Sequence, residues 1–79
     1  MVNLKEIDLS NCDLKNLEAL KEMINLEKIN LGENAELKDM SAIKNLVNLK
    51  EIDLSYCNLK NLEAIKEMTN LEKINLGGN

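Results

Sequence analysis

Two thiols, many carboxylates and three serine hydroxyls are the groups in this 79-residue sequence first weighed for chemistry. Cys12 and Cys57 are its only cysteines, and histidine is missing. Structural zinc takes four nitrogen or sulfur ligands, so two thiols without an imidazole make a poor site. Ser10, Ser41 and Ser55 have no histidine to act as base, which leaves nucleophilic catalysis without an activated hydroxyl. Asp8, Asp53 and their acidic neighbours would have to bring several oxygens within about 2.3–2.6 Å of one point to hold calcium. Lysines interleaved among them oppose that. Gly32 is isolated and Gly77-Gly78 leads into no helix, so no glycine-rich phosphate cradle is expected. The expectation is a chain with no catalytic site, no cofactor and no metal, which is to say not an enzyme.

Composition narrows the partners. Fourteen acidic residues against ten lysines leave a net charge of −4, whereas phosphate backbones call for a concentrated basic surface. Nucleic acid is therefore not expected. No apolar run approaches the roughly 20 residues that span a bilayer, so no membrane partner is expected either. The opening Met1-Val-Asn-Leu-Lys-Glu6 lacks the basic-then-apolar pattern of a signal peptide. Localisation stays open, and reduced cysteines are compatible with a cytoplasm. The length suits a single domain over residues 1–79, one that buries only about 60–65% of the surface of its unfolded chain. Phe and Trp are absent and Tyr56 is the sole aromatic, so the core must be aliphatic.

The elements that position these groups are set by repetition. Asn3, Asn25, Asn48 and Asn70 each precede a leucine and stand 22, 23 and 22 residues apart. A longer period of 45 lies over these: residues 2–34 and 47–79 differ at only five positions, Asn11/Tyr56, Asp13/Asn58, Leu20/Ile65, Ile24/Thr69 and Glu33/Gly78. The units run approximately over 3–24, 25–47, 48–69 and a half unit at 70–79. Within each, a segment such as Lys5-Glu-Ile-Asp-Leu-Ser10 alternates polar and apolar residues, which predicts a short strand with Ile7 and Leu9 facing inward. The following Asn16-Leu-Glu-Ala-Leu-Lys-Glu-Met23 has apolar residues three and four apart, which predicts a short helix with Asn16 as its cap. Ser41 and Asn61 sit at comparable entries. The Asn at 25, 48 and 70 is expected to take left-handed geometry after each helical turn.

The spacing L-x-x-I-x-L-x-x-C-x-L from Leu49 to Leu59, repeated at Leu4–Leu14 and, with one inserted residue, at Leu26–Leu37, closely resembles the leucine-rich repeat. The resemblance covers essentially the whole chain. The unit length is similar to the short bacterial class found in internalins, and the alternation Cys12, Asn34, Cys57, Asn79 is similar to that of ribonuclease inhibitor. It implies an α/β right-handed solenoid with four parallel strands on the concave face, three short helical turns on the convex face and uncapped ends. It also implies protein–protein recognition in general. The inserted residue between Asn34 and Leu37 is expected to loosen the turn there. The regularity suits a natural or an engineered repeat fragment, and both origins stay open.

Equivalent residues of a solenoid stack at about 4.8 Å. Cys12 and Cys57, two strands apart, are then about 9–10 Å from each other, too far for a disulfide, which needs less than about 7 Å. Their expected place, with Asn34 and Asn79, is a buried ladder facing loop backbone. The outward strand positions Glu6, Lys28, Glu51 and Lys73 alternate in sign, and Asp8, Asn30, Asp53 and Asn75 alternate carboxylate with amide. Together with Tyr56 at the rim, these form the candidate concave contact face for a protein ligand. Alternation also serves strand register, since opposite charges across strands stabilise by roughly 0.2–1 kcal/mol. The last strand has no convex cover, so Leu71, Ile74 and Leu76 form a candidate oligomer interface, most simply of a two-fold homodimer. A recognition module within a larger bacterial protein is the alternative.

Overall fold

The computed structural model describes residues 3–37, 40–59, 63–66 and 68–79. Four short strands, β1 (Glu6–Asp8), β2 (Lys28–Asn30), β3 (Glu51–Asp53) and β4 (Lys73–Asn75), form one parallel sheet in chain order. Pairing joins equivalent residues: Ile7 faces Ile29, Ile29 faces Ile52, and Ile52 faces Ile74. Such register follows from the 22- and 23-residue spacing, because a slip of one place would turn every isoleucine to the outer face. Beyond the strands the ladder continues through backbone bonds such as Leu9 N–H to Asn30 O at 2.8 Å and Leu54 N–H to Asn75 O at 2.8 Å.

Each return path passes through a helical segment. The first two are 3₁₀ turns, at Glu18–Leu20 and Ser41–Asn45, and only the third, α1 (Glu63–Lys66), is α-helical. The first two helices are thus shorter and tighter than their apolar spacing suggested. Runs this short favour 3₁₀ closure. Asn16 Oδ1 accepts from the Glu18 N–H at 3.1 Å. Asn61 lies outside the described residues. No helix among them is long and apolar enough to cross a membrane.

The core is aliphatic and concentrated in the middle of the stack. Leu26, Leu31, Ile43, Leu46, Leu49 and Leu54 are fully buried, joined by Leu17, Leu20, Ile29, Leu37 and Ile52. Leu4, Ile7 and Leu9 at one end, and Leu71 and Leu76 at the other, are only partly covered.

Two expectations about the connecting turns are corrected. Asn25, Asn48 and Asn70 do not adopt left-handed geometry; the left-handed residues are Asn11, Asp13, Glu33, Tyr56 and Asn58, with Gly78. Asn48 and Asn70 instead tie layers together: their Nδ2 groups donate to Ile24 O at 3.1 Å and Val47 O at 2.9 Å. The inserted residue does not loosen the second unit, because Leu37 N–H closes onto Asn34 O at 3.0 Å. Two residues, Ala35 and Glu36, there replace the single left-handed Asp13 or Asn58 of the other units.

Candidate functional site

Three features were candidates: the ladder, the outward strand columns and the end of the stack. In the ladder, Asn34 is fully buried and bonded on both sides of its amide. Its Oδ1 accepts from the Cys12 and Leu14 N–H groups, both at 3.0 Å. Its Nδ2 donates to Leu9 O at 3.0 Å and Leu31 O at 2.8 Å. One side chain therefore satisfies the irregular backbone of two layers, where strand geometry has ended and no sheet partner is available. Asn79 makes the same set to Cys57 and Leu59 N–H and to Leu54 and Leu76 O, though it is exposed.

The thiols divide. Cys57 is fully buried, and its Sγ donates to Leu31 O at 3.0 Å; burial pushes this thiol's pKa up. Cys12 is exposed, which corrects the expectation that both are buried. Among the described residues its Sγ meets only its own turn, at Ser10 O, 3.3 Å away. The physical reason is position: Cys57 reaches back to the layer before it, and β1 is the first strand of the sheet.

The outward columns line a shallow concavity of about 630 Å³ across all four strands, bounded by Glu6, Asp8, Lys28, Asn30, Glu51, Asp53, Lys73 and Asn75. Lys28 Nζ stands 3.5 Å from Glu51 Oε2, the one cross-strand ion pair among the described residues. Half-exposed pairs of this kind contribute little stability. The second column is turned onto its own chain. Asp8 Oδ1 accepts from both the N–H and the hydroxyl of Ser10, at 2.9 and 2.6 Å, which holds its pKa below the usual carboxylate value. Asp53 does the same with Ser55, while Asn30 and Asn75 each accept from a glycine N–H. These side chains terminate strands, a role legible in the recurring D-L-S and N-L-G triplets but not drawn from them. Tyr56 lies outside the residues that bound the concavity. It is 63% exposed, left-handed at φ 55°, and set against Gly78.

At the end of the stack, Ile74 is 43% exposed although Ile29 and Ile52, in the same row, are each 3% exposed. Leu71 and Leu76 beside it are partly covered.

A family model described as Leucine Rich repeats (2 copies) matches residues 2–45 and again 47–79. The two matches coincide with the two copies of the 45-residue cassette. Neither the curated proteins nor the solved structures returned a match.

Proposed function

Because the chain belongs to the leucine-rich repeat family, whose repeats generally mediate protein–protein interaction, we propose that it is a non-enzymatic interaction module that self-associates through an end of its solenoid. The loss of burial along one row carries this reading, from Ile52 at 3% exposed to Ile74 at 43%. A half-exposed aliphatic layer beside an edge strand gains from a second apolar layer, at roughly 25 cal/mol per Å² removed from water, and its free N–H and C=O groups accept a further strand. The column of Asp8, Asn30, Asp53 and Asn75, by contrast, already engages its carboxylates and amides within the chain. Solution mass by sedimentation equilibrium tests the proposal. The expected mass rises above 8.9 kDa as concentration passes through the micromolar range, and Ile74→Lys holds it there. A wild-type mass that stays at one chain throughout would refute it.

Ligand recognition on the concave face is the second reading. It is favoured by the four outward charges, Glu6, Lys28, Glu51 and Lys73, that line one continuous hollow.

A further inference from the structure

Resting on the self-association reading, we infer that the copies stack head to tail, with β4 of one beside β1 of the next in parallel, rather than about a two-fold axis. The template is inside the chain. β2 carries Lys28-Ile29-Asn30 and β3 carries Glu51-Ile52-Asp53, paired parallel in that register. β4 carries Lys73-Ile74-Asn75 and β1 carries Glu6-Ile7-Asp8. A β4–β1 contact therefore repeats, residue type for residue type, a contact the chain already makes.

Charge decides among the possible edges. Head to tail, Lys73 faces Glu6 of the next copy, as Lys28 faces Glu51 at 3.5 Å. Two β1 edges paired antiparallel would oppose Glu6 to Asp8, like against like, which destabilises. Two β4 edges would set Lys73 against Asn75, with no ion pair gained.

Polar groups left over at the two edges match as well. Leu31 O accepts twice, from Asn34 Nδ2 at 2.8 Å and from Cys57 Sγ at 3.0 Å. Its equivalent, Leu76 O, accepts only from Asn79 Nδ2 among the described residues. Cys12, the equivalent of Cys57, is exposed. Head-to-tail stacking gives Cys12 Sγ the Leu76 O of the neighbouring copy. Likewise Asn48 Nδ2 donates to Ile24 O, and the equivalent pair across the junction is Asn3 with Thr69. The copied part is the sheet half of the layer; between β2 and β3, residues 35–47 add the helical half.

The geometry is open, because each added copy exposes a fresh β4 edge. Sedimentation of wild type, Glu6→Lys, Lys73→Glu and an equal mixture of the two variants tests it, with far-UV circular dichroism confirming that each variant is folded. Wild-type mass is expected to climb past two chains without a plateau. Each variant alone, facing like charge across the junction, should associate roughly threefold to tenfold more weakly, and the mixture should regain wild-type association because each junction again pairs Glu with Lys. A wild-type mass that saturates at two chains, unaltered by Glu6→Lys, would overturn the head-to-tail geometry and leave self-association standing. A monomer at every concentration would remove both.

Discussion

The aromatic ring of Tyr56 lies against Gly78, one layer away: a Cβ placed on Gly78 would stand 2.5 Å from ring carbons Cδ1 and Cε1. Both residues are among the five that distinguish the two cassettes, where their counterparts are Asn11 and Glu33. The two differences are therefore one packing event, in which the ring of Tyr56 occupies space that a side chain at 78 would fill. Gly78 is also left-handed, at φ 76°, a geometry that costs most residues roughly 1–2 kcal/mol.

Gly78→Ala is accordingly expected to destabilise the chain by about 1–2 kcal/mol, seen as a Tm lower by roughly 4–8 °C per kcal/mol in a domain of this size. Part of that loss should vanish in a Tyr56→Asn background, where the ring is gone. Equal effects in the two backgrounds would show that the ring and the glycine are uncoupled.

Asn34 is the most demanding polar position. Asn34→Ala strips partners from Cys12 N–H, Leu14 N–H and Leu9 O at once, and each buried group left unbonded costs about 1–3 kcal/mol. A loss of at least about 3 kcal/mol in denaturant unfolding is expected. That is a large share of the roughly 4–12 kcal/mol available to 79 residues. Asn79→Ala, at an exposed copy of the same motif, should cost clearly less because water replaces the amide.

The thiols should react as two classes. Native protein treated with a thiol reagent is expected to label Cys12 quickly and Cys57 only on unfolding. Burial raises the Cys57 pKa above the ordinary 9.0, so the folded state holds the proton more tightly than the unfolded chain. The stabilisation is complete below pH 9 and falls away as pH rises beyond it. A Cys57→Ala variant should lose that alkaline slope above about pH 9, and an unchanged slope would assign it elsewhere.

Asp8 titrates in the opposite sense. Its carboxylate is held by the Ser10 hydroxyl and N–H, which lowers its pKa from 3.8. Its contribution is present above pH 3.8 and is lost as pH falls through the lowered value. Ser10→Ala removes the larger of the two causes, so the carboxyl resonance of Asp8 should titrate at higher pH in that variant. A midpoint that does not move would rule out the hydroxyl as the cause.

The architecture was legible because its cause is periodic. Isoleucines 22 and 23 places apart have to share one interior, and they pair as the spacing requires. The leucine-rich repeat resemblance rested on that same spacing. What was not legible depends on where a residue sits in the stack instead of on its type. Cys12 and Cys57 occupy the same place in near-identical cassettes, yet one is exposed and the other buried, because among the described residues a strand precedes the Cys57 layer and none precedes that of Cys12. The asparagines at 48 and 70 resemble left-handed turn formers, but their amides serve a neighbouring layer's carbonyl, a long-range contact invisible to local propensity. The charged columns suggested a contact face, and the structure shows Asp8 and Asp53 bonded to Ser10 and Ser55. Coupling between Tyr56 and Gly78 required seeing the ring.

Amide hydrogen exchange of the edge strand, followed against protein concentration, tests the end-to-end account most directly. Leu31 N–H already donates to Asp53 O at 2.8 Å, whereas its equivalent at Leu76 has no acceptor among the described residues. The account predicts that exchange at the Leu76 and Gly78 N–H groups slows as concentration rises through the micromolar range, while Leu31 N–H is unaffected. Exchange at Leu76 and Gly78 that is equally fast at every concentration would contradict it.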